Sequence, residues 1–405
     1  MFQHTHMRVG ATLAGALAAG LVLAGPAAAQ NVKIGSLSAI TGPIANLVPP
    51  IVDAEQHAVT VINEGGGILG RDAELVVGDT QCAAQAAVDA AQKLVNVDQV
   101  VAVAGALCSG ATLAAAQSVA IPAGVVMVSP ASTSPEITGL MDNDLLFRVA
   151  PSDAYQGEVL ARYVLGKGLN KVALTFINND YGVGLAGAFR DAFNAGGGVI
   201  TSDQVHEPNK SSYRSELATL ATDNPQALVL LAYAGDSGLA MVRQSLENDF
   251  FDKFVGADGM RDDVLIEQIG AANLDILITQ PTSAPINPAK EVFDASFAAA
   301  GGDPSSIFVQ QSFDAVFMLG LAIQKAGSTD RAAVRAALRD IASPPGMVVG
   351  PGDWAKAVEA LAAGQAINYE GAGGSHDFDD QGDVAGVIGE YAIKGNTFAE
   401  VGLID

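Results

Sequence analysis

Apolar, β-branched runs alternate with Ala-rich stretches of helical spacing along most of the chain. "VKIGSLSAI" (32–40), "AELVVGD" (73–79), "VVAVAGA" (100–106) and "VVMVSP" (125–130) are short, apolar and bounded by turn residues, which predicts buried strands. Between them, 51–63, 83–96 and 109–119 repeat apolar residues every three to four positions, which predicts helices. Strand and helix in strict alternation imply a parallel sheet covered on both faces, because parallel strands need a crossover element between them.

A second series of the same kind begins after "FRVAPSDAYQG". It predicts helix 153–166, strand 171–177, helix 183–195, strand 198–205, helix 211–222, strand 227–233, helix 237–248 and strands 254–258 and 275–281. Helices 288–300, 306–326, 329–341 and 353–363 follow, and "VAGVIGEYAIKGNTFAEVG" near the end predicts two antiparallel strands. The Pro and Gly content of 343–352 predicts a surface loop. The expectation is therefore an α/β protein with two units of similar size.

The first 29 residues break this pattern. A short basic start, the apolar "ATLAGALAAGLVLAG" and small residues at Ala27 and Ala29 have the order of a cleavable signal peptide, cut between Ala29 and Gln30. The apolar core is short for a membrane span, and no Cys follows it to carry a lipid anchor, so a soluble, exported chain is expected. Without the leader, which contains Arg8, 20 basic residues face 44 acidic ones, a net charge of −24. Such a chain repels nucleic acid and anionic lipid. Its remaining 376 residues exceed a simple single core and suit two domains.

Export also bears on the two cysteines, Cys82 and Cys108. An even pair in an oxidising compartment favours a bridge, which would close a loop of about 25 residues and contribute about 3 kcal/mol. The alternative, a Cys108 nucleophile, lacks a nearby His in sequence. His57, His206 and His376 are not at zinc-ligand spacing, so no metal is expected. Three other motifs are weak. Gly182, Gly184 and Gly187 form G-x-G-x-x-G, but "NNDY" separates them from the strand, and a helix start capped by Asp180 is the plainer reading. "GDSG" (235–238) resembles a protease nucleophile without its context, so Asp236 or Ser237 is expected to cap the next helix. "DFDDQGDV" (377–384) has EF-hand-like spacing, but Ile388 stands where a bidentate Glu is required, so a turn is expected and not a calcium site.

One constellation hangs together. In "GALCSGAT", Ser109 follows a strand and opens a helix, where hydroxyl and backbone N–H groups can meet an anion. One strand later "VSPASTSPEIT" ends in a polar turn with Ala131, Ser132 and Thr133. Adjacent parallel strands bring both turns to the same carboxyl edge, where open α/β sheets bind ligands.

These two segments, with "DTQCAAQAAVDAAQKLV", "INNDYGVGLA" and "FVGADG", resemble the leucine/isoleucine/valine-binding proteins, the branched-chain amino-acid branch of the type I periplasmic binding proteins. The resemblance runs from "TGPIANL" (41–47) to the C-terminal strands. It implies two Rossmann-like lobes with parallel central sheets joined by a three-crossing hinge, the chain crossing near 152, 282 and 382. Lobe 1 would comprise 30–152 and 283–381, and lobe 2 would comprise 153–282 and 382–405. It implies a Cys82–Cys108 disulfide, an α-carboxylate held by Ser109 and Thr133, and an α-ammonium held by the Ala131 carbonyl, Thr133 and Asp258. Tyr181 and Phe308 would shape the pocket. It further implies a monomeric periplasmic receptor without cofactor or enzymatic activity, handing an amino acid to an inner-membrane ABC permease.

The chain departs from that pattern at three places. Leu47 and Ala234 stand where relatives carry aromatics, leaving gaps for Tyr155, Tyr233 or Phe308 to fill, and Asp258 is one methylene shorter than the usual Glu. Branched-chain amino acids are the first expectation; other amino acids, amides, urea-like solutes or aromatic carboxylates are the alternatives. A secreted α/β enzyme is a further reading, and it would need a His or Lys beside a nucleophile. A sensor domain is the third, and the absence of a signalling segment up to Asp405 favours a free-standing carrier over it.

Overall fold

Two main sheets organise residues 31–404 in the computed structural model, which describes residues 1–5 and 30–404. The expected leader (1–29) lies, beyond residue 5, outside the described residues. The first sheet contains β1 (Val32–Ser38), β2 (Ala73–Asp79), β3 (Ala102–Gly105), β4 (Met127–Ser129) and β5 (Leu146–Arg148), in the order β2-β1-β3-β4-β5 and parallel throughout.

The second sheet is built from β6 (Lys171–Ile177), β7 (Val199–His206), β8 (Leu228–Leu231), β9 (Lys253–Gly256) and β10 (Asp275–Thr282). Beyond the short parallel pair β11 (Met347–Val349) and β12 (Ile367–Tyr369), the chain returns to this sheet as β13 (Val387–Lys394) and β14 (Thr397–Ile404). The order is β14-β13-β10-β9-β8-β6-β7, and β13 runs antiparallel to both its neighbours.

After β10 the chain goes back to the first sheet. Helix Val309–Ala326 is buried from Val309 to Ile323 and shares a core with Val32, Ile34, Ile62 and Phe147. From Ala315 to Ile323 this helix is apolar on every face and must be enclosed; helix Val48–Glu64 covers it, as does Trp354, whose ring meets Phe317 edge-on at 5.3 Å. Two expectations fail here. The segment 343–352 is not all loop, since it contains β11 with Val349 fully buried; β5 and β12 were also missed. Three-residue strands carry too short a pattern to stand out from a turn.

Capping also differs in detail. Asn179, not Asp180, caps helix Asp180–Ala195: its backbone is extended and its side chain accepts from the Gly182 N–H at 2.8 Å. Neither Asp236 nor Ser237 caps helix Leu239–Glu247, whose cap residue Gly238 offers no side chain. Asp236 instead accepts from the Asn209 N–H at 2.7 Å. The first two glycines of G-x-G-x-x-G have a packing reason, whereas a Cβ on Gly187 would meet open space. A Cβ on Gly182 would lie 2.2 Å from the Ile177 carbonyl oxygen, and one on Gly184 would lie 2.6 Å from Pro135 Cδ in the first-sheet lobe.

Candidate functional site

The residues of interest lie just past the carboxyl ends of central strands. Ser109 follows β3, Ala131 to Thr133 follow β4, Tyr181 follows β6, Tyr233 follows β8 and Asp258 follows β9. Strand order reverses at β1/β3 and at β6/β8, and such switch points leave a crevice at this edge. A cavity opens there, lined from the first lobe by Ile44, Leu47, Leu107, Cys108, Ser109, Ala131 and Phe308. Tyr181, Tyr233, Asp258 and Gly259 line it from the second. The space between the two walls, counted out into the solvent at its mouth, is about 440 Å³.

Each polar side chain is held by neighbours. Ser109 Oγ accepts from the Ser134 N–H at 3.2 Å, tying the two turns of the first lobe together. Ser132 faces away from the cavity: its Oγ meets Thr112 Oγ1 at 2.6 Å and donates to the Ala106 and Leu107 carbonyls at 3.2 and 3.1 Å. Thr133 donates to Asp153 Oδ2 at 2.8 Å and does not itself line the cavity. Tyr155 is 38% exposed and stands outside it; the wall that carries Asp258 is filled by Tyr181 and Tyr233, stacked at 5.1 Å. Cys82 and Cys108 form a disulfide with Cα atoms 5.4 Å apart, and Cys108 is part of the cavity wall.

Asp258 lies at the centre of the second wall. Its Oδ1 accepts from Gln156 Nε2 at 2.9 Å and from the Tyr181 hydroxyl at 3.1 Å, while Tyr181 Oη accepts from the Gly259 N–H at 3.1 Å. Burial pushes the Asp258 carboxyl up to about 6, and the two side-chain donors hold it below what burial alone would give. Sequence reasoning missed Asp153 and Gln156. Both sit in the first turn of helix Asp153–Gly166, fully buried, and Asp153 Oδ1 and Gln156 Oε1 have no protein partner. Burial, and then the Asp258 charge, raise the Asp153 carboxyl well above its usual range against the pull of Thr133 and Arg148. Read in sequence, Asp153 is one more acid in a helix first turn, so nothing local singles it out.

The decoys resolve individually. Ser237 does have a histidine: His206 Nε2 is 2.8 Å from its Oγ, and His206 Nδ1 is 2.8 Å from Thr175 Oγ1. All three are at most 2% exposed, so no substrate reaches the pair. In "DFDDQGDV", Asp379 accepts from the N–H groups of Gln381 and Asp383, and Asp383 pairs with Arg148, so the acids make a turn. Among the described residues no group of three or more His, Cys, Asp or Glu could hold a metal ion, and no helix is long and apolar enough to cross a membrane.

A cavity between two α/β lobes, with a hydroxyl on one wall and a carboxyl and a phenol on the other, is the arrangement of a ligand receptor. The chain belongs to the periplasmic binding protein family, whose pattern it matches over residues 31–373. It is similar to the Leu/Ile/Val-binding protein of Rhizobium johnstonii, 31% identical over 81% of this chain and 89% of that one. It is also similar to the leucine-, isoleucine-, valine-, threonine- and alanine-binding protein of Pseudomonas aeruginosa, 29% identical over 77% and 83%. Among solved structures, the leucine-binding protein of Thermotoga maritima superposes with a TM-score of 0.78 at 25% identity, covering 92% of this chain and 99% of that one. The two-lobed α/β architecture of the type I periplasmic binding proteins is thus the fold of this chain.

Proposed function

We propose that the chain is an exported receptor that closes its two lobes on an aliphatic amino acid, first of all leucine, isoleucine or valine, and delivers it to an inner-membrane ABC permease. The observation that carries this reading is that Ser109 and Ala131 face Asp258 and Tyr181 across one cavity whose remaining wall is mostly apolar, with Ile44, Leu47, Ile51, Leu107 and Ile307 beside the rings of Phe308 and Tyr233. A zwitterion leaving water needs both charges matched, because an unpaired buried charge costs several kcal/mol. Ser109 and its helix start take the carboxylate; the Ala131 carbonyl and Asp258 take the ammonium. Thr133, turned to Asp153, positions that acid, and Ile44, Leu47 and Phe308 receive the side chain.

Because the two charges are met by different lobes, the ligand makes contacts in the closed state that the open state lacks, which is what drives closure. The hinge of this reading passes near 152, 282 and 382, dividing the chain into 30–152 with 283–381 and 153–282 with 382–405. Relatives named for leucine, isoleucine and valine support the ligand class. Export through a leader over 1–29, a periplasmic location, a monomeric state and the absence of catalysis belong to the same proposal.

Native mass spectrometry of freshly purified full-length protein, followed by denaturation, tests it. A released mass of leucine, isoleucine or valine is expected. A co-purified molecule lacking an ammonium group, with no calorimetric binding of the three amino acids, overturns it.

A further inference from the structure

We propose that the empty cavity carries a proton on the Asp153–Asp258 pair and that an incoming ammonium group displaces it, so that ligand binding and proton release are one event. This inference rests on the amino-acid reading of the site and adds its regulation by pH.

The geometry is unusual for two acids. Asp153 and Gln156 share the first turn of one helix, and Gln156 Nε2 donates to Asp258 Oδ1 at 2.9 Å, so one turn brings the two acids together. Asp153 and Asp258 are 0% and 5% exposed, and neither has a cationic group within hydrogen-bond distance. The basic group nearest in effect to Asp153 is Arg148 on β5, but all five of its N–H groups are committed. They go to Asp383 Oδ1 and Oδ2 at 2.6 and 2.7 Å, the Thr133 and Ser134 carbonyls at 2.8 and 2.9 Å, and Thr138 Oγ1 at 2.6 Å. Arg261, three residues past Asp258, is directed away, to Gln280 Oε1 and the Ser305 carbonyl. From the remaining elements come Tyr181 and Tyr233, phenols that burial and these acids keep neutral, and Asp180 and Asp236, which add only negative charge near Tyr233.

Two buried like charges without a counter-ion do not both ionise; they titrate as a pair, and one proton stays. Burial and the charge of Asp258 raise Asp153 well above the usual carboxylate range, while burial holds Asp258 at about 6. An ammonium ion placed against Asp258, the one of the two acids that lines the cavity, supplies the missing positive charge, so both carboxyls ionise. The balance is simple: protonated receptor plus zwitterion gives complex plus one proton, which goes to solvent, while the ammonium keeps its three hydrogens. Affinity therefore weakens as pH falls, by up to about tenfold per pH unit while the empty pair holds the proton.

Calorimetric titration of the full chain with L-leucine, between about pH 5 and 8 and in buffers of low and high ionisation enthalpy, counts the protons. Release approaching one proton per leucine is expected, with Asp153→Asn reducing it. Leucine binding with the same enthalpy in both buffers at every pH overturns the inference. Infrared spectra of unliganded protein at neutral pH decide it without a ligand: the protonated-carboxyl stretch is expected to be stronger in the wild type than in Asp153→Asn, above the constant contribution of Glu55. Equal bands overturn it. Failure of leucine to bind at all, with the infrared difference present, counts against the amino-acid reading alone.

Discussion

Arg148 and Asp383, 235 residues apart in sequence, meet as a two-pronged pair, Nε to Oδ1 at 2.6 Å and Nη2 to Oδ2 at 2.7 Å. The guanidinium side chain is fully buried and joins the last strand of the first sheet to the turn that precedes the final hairpin. Removing one partner of a buried pair strands the other, which typically costs about 3–5 kcal/mol. Arg148→Ala is expected to lose stability of that order in urea denaturation. Arg148→Lys should recover little of it, because a single ammonium cannot reproduce the fork.

Ser109 and Asp258 approach the cavity from opposite walls. Each is expected to make a charge-assisted contact contributing about 1.5–3 kcal/mol. Ser109→Ala and Asp258→Ala should therefore each weaken amino-acid binding at least about tenfold in protein that still folds cooperatively. Unaltered calorimetric affinity in both variants would reject the pocket.

Closure itself depends on small residues at the lip. A Cβ on Gly235, in the second lobe, would lie 2.3 Å from the Pro43 carbonyl oxygen of the first, and backbone cannot step aside as a side-chain tip can. Gly235→Ala is predicted to hold the lobes apart, giving a larger radius of gyration with ligand present and an affinity reduced about tenfold or more. Normal secondary structure in the same sample would separate this from misfolding.

Two buried titratable groups shape stability against pH in opposite directions. Glu55, fully buried on helix Val48–Glu64, accepts from Ser36 at 2.5 Å, and burial pushes its carboxyl from 4.5 up to about 8. The folded state holds a proton that the unfolded chain releases, so its stabilisation is complete below pH 4.5 and is lost as pH rises through 8. His206 is the reverse. Burial lowers it from 6.5 to about 4, so its contribution is complete above pH 6.5 and is lost as pH falls through 4. Urea denaturation across this range should show Glu55→Gln gaining stability relative to wild type at alkaline pH, and His206→Gln losing the acid slope.

The disulfide closes Cys82 to Cys108 across 26 residues, beside the turn that carries Ser109. Mass spectrometry of the exported protein should find the two joined. Cys82→Ser with Cys108→Ser is expected to destabilise the fold by about 3 kcal/mol in the chain-entropy account and to loosen the cavity wall, read as weaker ligand binding.

Much of this was legible along the chain where burial and periodicity coincide. Helix 153–166 and strands 73–79 and 171–177 were predicted with the bounds observed, because elements of seven or more residues repeat their pattern enough to be read, although 73–79 is an edge strand with only Ala73 buried and not the buried strand expected. Of the site residues, Ser109, Ala131, Tyr181, Asp258, Leu47 and Phe308 do meet in one cavity, whereas Ser132 and Thr133 turn to Thr112 and Asp153, and Tyr155 stays outside. Caps were misplaced by one or two residues at Asn179 and Gly238, since several polar neighbours there have similar capping power and only backbone dihedrals choose among them.

Local pattern alone determined the alternation of strand and helix, and with it the parallel sheets and the edge at which a ligand can sit, because side-chain periodicity is a property of neighbours in sequence. Tertiary structure alone decided the partners of the buried polar groups: that Arg148 reaches Asp383, that His206 reaches Ser237, and that Gln156, in the same helical turn as Asp153, reaches Asp258. Such pairings depend on distances set by the packing of whole lobes. Burial strengthens their consequences by removing the water that would otherwise mask them.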